Sequence, residues 1–365
     1  MNRRGFTLPL ALLTLALMGA LACAVMLSAR LRWLSGARTI EALQARTLAE
    51  SEVERMTAAW DPLRAESLAI GGVVALPAAI SGQGLVAFDS LLRLGRGLYL
   101  VRSTGVRATA DGSLLAREGV AGLVRLRAPS LPDSMAVEAA GPVAILAAGL
   151  VDGDDHIPAG WSGVCNAPAA SATGVLAGLT APVQPACSSG PCIHGAPPVA
   201  VDSTVTTGSL NRFGTVAFGD LVAMADHHVS GTLSGPGPAT SAGVCTQSDS
   251  LNWGDPLTMA APCGGYFPVV IAAPATRILG GTGQGLLVAT GALELGGDLA
   301  FSGVVIAAGP VLIHDQARIT GVVLTQDSLT VSGSALIERS RCATTRALLG
   351  GARPRPLDRS WFRWD

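Results

Sequence analysis

Gly285-Leu-Leu-Val-Ala289, Gly303-Val-Val-Ile-Ala307 and Gly321-Val-Val-Leu-Thr325 open three copies of one pattern, each 18 residues after the last. Other columns keep the register. Leu293, Val311 and Leu329 align, as do Leu295, Ile313 and Val331, and Phe301, Ile319 and Ile337. Each copy divides into three six-residue units, most of them alternating and ending in a small or turn-forming residue. Alternation at period two is the pattern of a strand with one face in and one face out. A turn at every sixth residue fits a coil of three short strands. Stacked coils make a parallel β-solenoid, in which like residues pile up and bury a common core. An antiparallel meander is the alternative. The solenoid is assigned to residues 276–340.

Upstream, residues 61–149 read as a β-rich packing region. Gly97-Leu-Tyr-Leu-Val-Arg102, Gly105-Val-Arg-Ala-Thr109, Ser113-Leu-Leu-Ala116 and Gly122-Leu-Val-Arg-Leu126 are strands separated by turn residues, and Val143-Ala-Ile-Leu146 fits a first coil strand. Residues 150–275, rich in Gly, Pro, Ser and Thr, read as a loop-rich insertion, with one short element over Phe218 to His227. Residues 341–365 form a tail carrying Arg353, Arg355, Arg359 and Arg363 beside Trp361, Phe362 and Trp364.

The N-terminus has a different character. Asn2-Arg-Arg-Gly-Phe-Thr-Leu8 runs into an uncharged apolar stretch that lasts to Ala29. As a helix, Phe6 to Ala29 spans roughly 36 Å against a hydrocarbon core of about 30 Å. Arg3 and Arg4 precede the span, so the positive-inside rule leaves the N-terminus in the cytoplasm and the remainder outside. From Arg30 to Trp60 the chain holds one glycine, Gly36, and no proline until Pro62. Its Ala, Leu, Glu and Arg are strong helix formers. Ala42, Ala45, Ala49, Val53 and Met56 form one apolar stripe, with Glu41, Glu50, Glu52, Glu54 and Arg55 on the other faces. Together these predict one helix over residues 6–60, kinked or frayed near Pro9. The plain alternative is an anchor with a juxtamembrane stalk.

Gly5-Phe-Thr-Leu8 resembles the processing site of type IV prepilins and of the pseudopilins of type II secretion. The resemblance implies a leader of residues 1–5, cleavage after Gly5 and methylation of the new terminal Phe6 by a prepilin peptidase. It also implies assembly with other pilins through Thr7, Leu8 and Leu10. The family's fifth mature residue is normally glutamate, which neutralises a neighbour's terminal amine; here that position is Leu10, after Pro9. A subunit without that carboxylate resembles a minor, priming or tip-located pilin. Ala45-Arg-Thr-Leu-Ala-Glu-Ser-Glu-Val-Glu-Arg-Met56 also resembles minor pilins of the PilX type. A plain signal anchor, a cleaved signal at Ala22-Cys23-Ala24 and a lipoprotein site at Cys23 are the competing readings of the same span.

Five of the seven cysteines, Cys165, Cys187, Cys192, Cys245 and Cys263, fall in the 150–275 segment; Cys342 follows the repeats and Cys23 lies in the span. The six outside the span are an even set suited to an oxidising compartment. Cys245–Cys263 is the favoured pair, with Cys165 joined to Cys187 or Cys192 and the other left for Cys342. A zinc site is the alternative, but no C-x-x-C occurs. Asp152, Asp154, Asp155 and His156 form the densest acidic cluster, without the spacing of an EF-hand, and read as a solvated turn. Asp226, His227 and His228 read as a polar segment rather than acid–base machinery, and Asp255 follows a packed Trp253. Some solenoids cleave polysaccharides, which would call for stacked carboxylates. Glu294 aligns with Leu312 and Thr330, Asp298 with Gln316 and Ser334, and Asp327 with Gly291 and Gly309, so no two acids share a column.

Charged residues are 14% of the chain, net charge is −1 and all 25 basic residues are arginine. No basic field marks a nucleic-acid site. The fold expected is α+β, mainly β: a long N-terminal transmembrane helix, a β-rich domain and a C-terminal parallel β-solenoid of 18-residue coils. The expected role is structural, in a type IV pilus or type II secretion-like pseudopilus, with no catalytic residue, metal or cofactor. The location expected is the inner membrane with a periplasmic domain, then the pilus or cell surface. The alternative is a membrane-anchored extracellular β-solenoid enzyme or adhesin acting on glycans.

Overall fold

The computed structural model describes residues 7–364 apart from 83, 133, 189 and 359. The chain divides into two compact units: one of residues up to Trp60 with Leu68–Arg125 and the stretch from Pro354, the other of Asp61–Ser67 with Leu126–Arg353. A long N-terminal apolar helix is followed by a strand-rich chain with parallel sheets, mainly β.

In the first unit one helix, Thr7–Ala58, runs for 52 residues. Pro9 sits in its first turn, where backbone N–H groups have no helical partner and a proline costs little. The predicted stripe divides by position. Ala45, Ala49, Val53 and Met56 are buried and Ala42 is half-buried, whereas the helix from Leu10 to Gly36 is exposed. The buried stripe lies on an antiparallel sheet of Leu85–Gly95, Leu98–Ala108 and Leu114–Arg127. The expected pairs of short strands are single long ones here, because Gly105, Gly119 and Gly122 do not turn the chain but stay extended and in register within the ladder. Gly105 sets the closeness of the contact. A Cβ at that position would fall on the carbonyl oxygen of Ala45, so the helix backbone rests directly on the sheet. Arg107 pairs with Glu41 at 2.8 Å, and Arg55 joins Glu52 at 2.5 Å and the buried Asp89 at 3.4 Å. From the tail, Phe362–Trp364 pairs antiparallel with Leu114–Arg127.

The second unit is built on two parallel sheets. The glycine-led strands Thr282–Ala289, Ala300–Ala307 and Arg318–Thr325 pair in the register that sets Gly285, Gly303 and Gly321 side by side. Each of these glycines has φ above +100°. A Cβ on Gly303 or Gly321 would meet the carbonyl oxygen of the glycine one rung before it, so the column excludes side chains. The smaller sheet stacks Leu293–Gly296, Val311–Ile313 and Leu329–Val331 in the same way. Different surroundings explain the two sequence textures. The larger sheet is covered on both faces, inside by the core shared with the smaller sheet and outside by Leu210, Phe213, Leu221, Ala347 and Leu348, so its strands read as unbroken apolar runs. The smaller sheet leaves one face to solvent, and there Glu294, Leu312 and Thr330 alternate with buried neighbours.

The chain enters this stack in its middle. Met135–Ala139 pairs with Arg318–Thr325, and Val143–Ala147 pairs with Leu329–Val331, so early strands continue from the last rung of the repeat. Leu150–Asp152, Thr173–Gly178, Val183–Cys187, Ile193–His194 and Val199–Asp202 extend the sheets outward. The chain then passes over the outside of the larger sheet and resumes at the far end with His227–Val229 and Thr232–Ser234. Residues 150–275 thus differ from a loop-rich insertion: they supply both ends of the parallel sheets. Loops such as 154–172 break the 18-residue spacing there, which is why no column is visible in the sequence.

Candidate functional site

From Leu10 to Ser28 the helix carries no charged residue, and every described side chain on it is exposed; Leu10 itself is 55% exposed. Two hydroxyls in this stretch are satisfied within the helix, Thr14 Oγ1 donating to the Ala11 carbonyl at 2.9 Å and Ser28 Oγ to the Val25 carbonyl at 2.8 Å. With the backbone bonded internally as well, the segment presents nothing that water must satisfy, the condition for residence in hydrocarbon. Arg30, Arg32 and Trp33 close it, Trp33 being 72% exposed. Arginine and tryptophan suit a membrane–water boundary. By length and composition this helix can cross a membrane. Gly5 and Phe6 lie outside the described residues. Thr7 and Leu10 fall in the first turns, and Leu8 is exposed.

The polar clusters of the second unit are tied into the fold. Asp152 accepts from the Asp154 N–H at 2.9 Å and meets His156 Nε2 at 2.9 Å. Asp155 accepts from the N–H groups of Ala169 at 2.6 Å and Arg341 at 2.7 Å, fastening the 154–172 loop to the start of helix Arg341–Gly350. The Cys165–Cys342 disulfide and the edge-to-face pair of Trp161 and Phe267 lock the same junction. Cys245–Cys263 is bonded as expected. The other pairs differ from expectation: Cys187 bonds Cys192, and Cys165 bonds Cys342. Cys187 ends one strand and Cys192 immediately precedes the next, leaving Cys165 to the helix its loop crosses. Cys23 is free and exposed.

His227 is buried, and its Nε2 lies 2.9 Å from the Tyr266 hydroxyl. Burial holds His227 below its ordinary pKa and pushes the Tyr266 phenol up. Asp226 is engaged by Arg353 at 2.8 Å and by the Val269 N–H at 2.8 Å. Asp255 accepts from the Leu257 and Thr258 N–H groups at 3.1 Å each. Among the described residues no group of three His, Cys, Asp or Glu is placed to hold a metal ion.

Sequence reasoning missed two features. On the open face of the smaller sheet Arg277 grips Glu294 with two bonds of 2.8 Å, and His314 lies between Glu294 at 3.1 Å and Asp315 at 2.9 Å. Column alignment found Glu294 beside Leu312 but not this diagonal. Glu138 is the second. It is buried on the larger sheet opposite Leu324 and Leu176, and burial, reinforced by the charge of Asp202, raises its pKa to about 7. A lone glutamate in Met-Ala-Val-Glu-Ala139 was its only sequence signal.

No protein-family model and no curated protein matches the chain. Among solved structures, the crystal structure of the competence-associated pilin ComZ from Thermus thermophilus is similar at 11% identity, over 89% of this chain and 97% of that one, with a TM-score of 0.27. At that score the likeness assigns neither a fold nor a role.

Proposed function

We propose that this chain is a minor pilin or pseudopilin, a non-enzymatic subunit of a type IV pilus or a type II secretion-like pseudopilus. The observation that supports the reading most is the division of one continuous helix: bare and apolar from Leu10 to Ser28, packed on a sheet from Ala45 to Met56. A bare segment of this kind serves first as a membrane anchor and then as packing surface among like helices. The Gly5-Phe6 junction supplies the processing site for a prepilin peptidase, and Leu10 in place of a glutamate favours a sparse or tip position. Among named groups the PilX-type minor pilins remain the best fit to residues 45–56. The parallel stack of the second unit is read as a β-solenoid presented outside the cell, by way of the inner membrane and periplasm. The test is Leu10→Glu in the native host. The variant is expected to change stoichiometry or placement in isolated filaments, and unchanged incorporation and placement would remove the tip assignment.

A further inference from the structure

The two ends of the parallel stack are finished differently. One interior column of the larger sheet runs Val270, Leu287, Val305, Val323, Val137, Val175, Val199, each paired with the next. A second runs Ala272, Ala289, Ala307, Thr325, Ala139, Ala177, Val201. At the His227–Val229 end the columns are covered: His227 and Val229 are buried, and Trp253 is sealed into the same core against Phe301. At the other end Val199 is 37% and Val201 is 59% exposed, although Val175 and Ala177, which they follow, are fully buried. The core is open there.

The backbone is open at the same place. Among the described residues Val199–Asp202 has one ladder partner, Thr173–Gly178. The Val175 N–H donates to the Pro198 carbonyl at 2.9 Å. In a parallel ladder this phase turns Ala200 toward the partner strand and the N–H and C=O of Val199 and Val201 away from it. Two valines thus combine exposed interior side chains with edge groups that have no ladder partner among the described residues, the condition that invites another strand.

We infer that this edge pairs with the same edge of a second copy of this chain, antiparallel about a two-fold axis through Ala200. With Ala200 opposite its own counterpart, Val199 stands opposite Val201 of the other copy, and Val201 opposite Val199. The outward N–H and C=O groups of these valines form the hydrogen-bonded pairs, and their side chains close each other's columns. Residues directly opposite share a face, so apolar meets apolar. Asp202 falls opposite Pro198 rather than another carboxylate, and the small Ala200 occupies the axis. The surface is self-complementary, as a two-fold interface requires. Head-to-tail stacking is excluded by the covered far end. Pro197 and Pro198 limit the edge to a short strand.

The test is cross-linking of the full chain in native membranes, with Cys23→Ser removing the free thiol. Ala200→Cys places thiols on a non-hydrogen-bonded cross-strand pair, with Cα atoms about 4.5 Å apart, within the range a disulfide bridges. Oxidation is expected to give a covalent dimer, in yield several-fold above Leu312→Cys on the open face of the smaller sheet. Adding Val201→Asp is expected to abolish it. Equal yields at the two sites, or a bond to a different polypeptide, would overturn the inference. Peptide mapping of the Cys165–Cys342, Cys187–Cys192 and Cys245–Cys263 pairs verifies folding. Independently of any new thiol, Val201→Asp should lower the particle mass of the chain in detergent from two copies to one. An unchanged mass would also overturn it.

Discussion

Glu138 makes the stability of the parallel stack fall as pH rises. In the unfolded chain a glutamate titrates near 4.5, whereas in the folded protein burial raises Glu138 to about 7. Between those values the folded state holds a proton that the unfolded state has released, so raising the pH favours unfolding. The contribution is fully present below pH 4.5 and is lost progressively as the pH climbs to about 7. A gap of about 2.5 pH units at ~1.36 kcal/mol each comes to about 3 kcal/mol. For a unit of this size each kcal/mol moves the midpoint by about 2–4 °C. Glu138→Gln, which keeps the shape and removes the titration, is therefore expected to raise the midpoint at pH 8 by about 6–12 °C and to leave it nearly unchanged at pH 4. The assay is thermal unfolding of the detergent-solubilised chain, disulfides intact, across that range. Asp202→Asn should act in the same direction and more weakly, since its charge is the lesser cause. Parallel pH profiles for wild type and Glu138→Gln would refute the reasoning.

Gly303→Val places a side chain on the Gly285 carbonyl oxygen at a positive φ, so it should cost about 3 kcal/mol or more and lower the unfolding midpoint, whereas Gly219→Val, where a Cβ meets nothing, should be far milder. The disulfides should rank by the loop each closes. With a sequence separation of 177, Cys165–Cys342 restrains the unfolded chain by about 5 kcal/mol, against about 2 kcal/mol for Cys187–Cys192 with a separation of 5. Paired Cys→Ser variants compared by denaturant midpoint should show the first as the larger loss, and the reverse order would contradict the ranking.

What the sequence disclosed followed from how regularly each element repeats its surroundings. Gly285, Gly303 and Gly321 sit in identical environments at constant spacing, so the register of the larger sheet could be read directly. Val137, Val175 and Val199 occupy the same interior column, yet loops of unequal length separate them and nothing periodic links them along the chain. Ala45, Ala49, Val53 and Met56 were legible because helical spacing alone defines a face. The exposure of Leu10 was legible from composition, since an uncharged run of that length has too little polar surface for an ordinary core helix. The pairing of Cys165 with Cys342 was hidden because only the packing of the 154–172 loop onto Arg341–Gly350 brings them together. Glu138 needed the structure for a similar reason: its chemistry comes from burial beside Asp202, which lies far along the chain.

The most direct test of the pilin reading is the mature N-terminus of the chain isolated from native membranes, by intact mass and terminal peptide sequencing. The account predicts a chain that begins at N-methylated Phe6, five residues shorter than the translated sequence. A chain that retains Met1, or one that begins at or after Cys23, would contradict it.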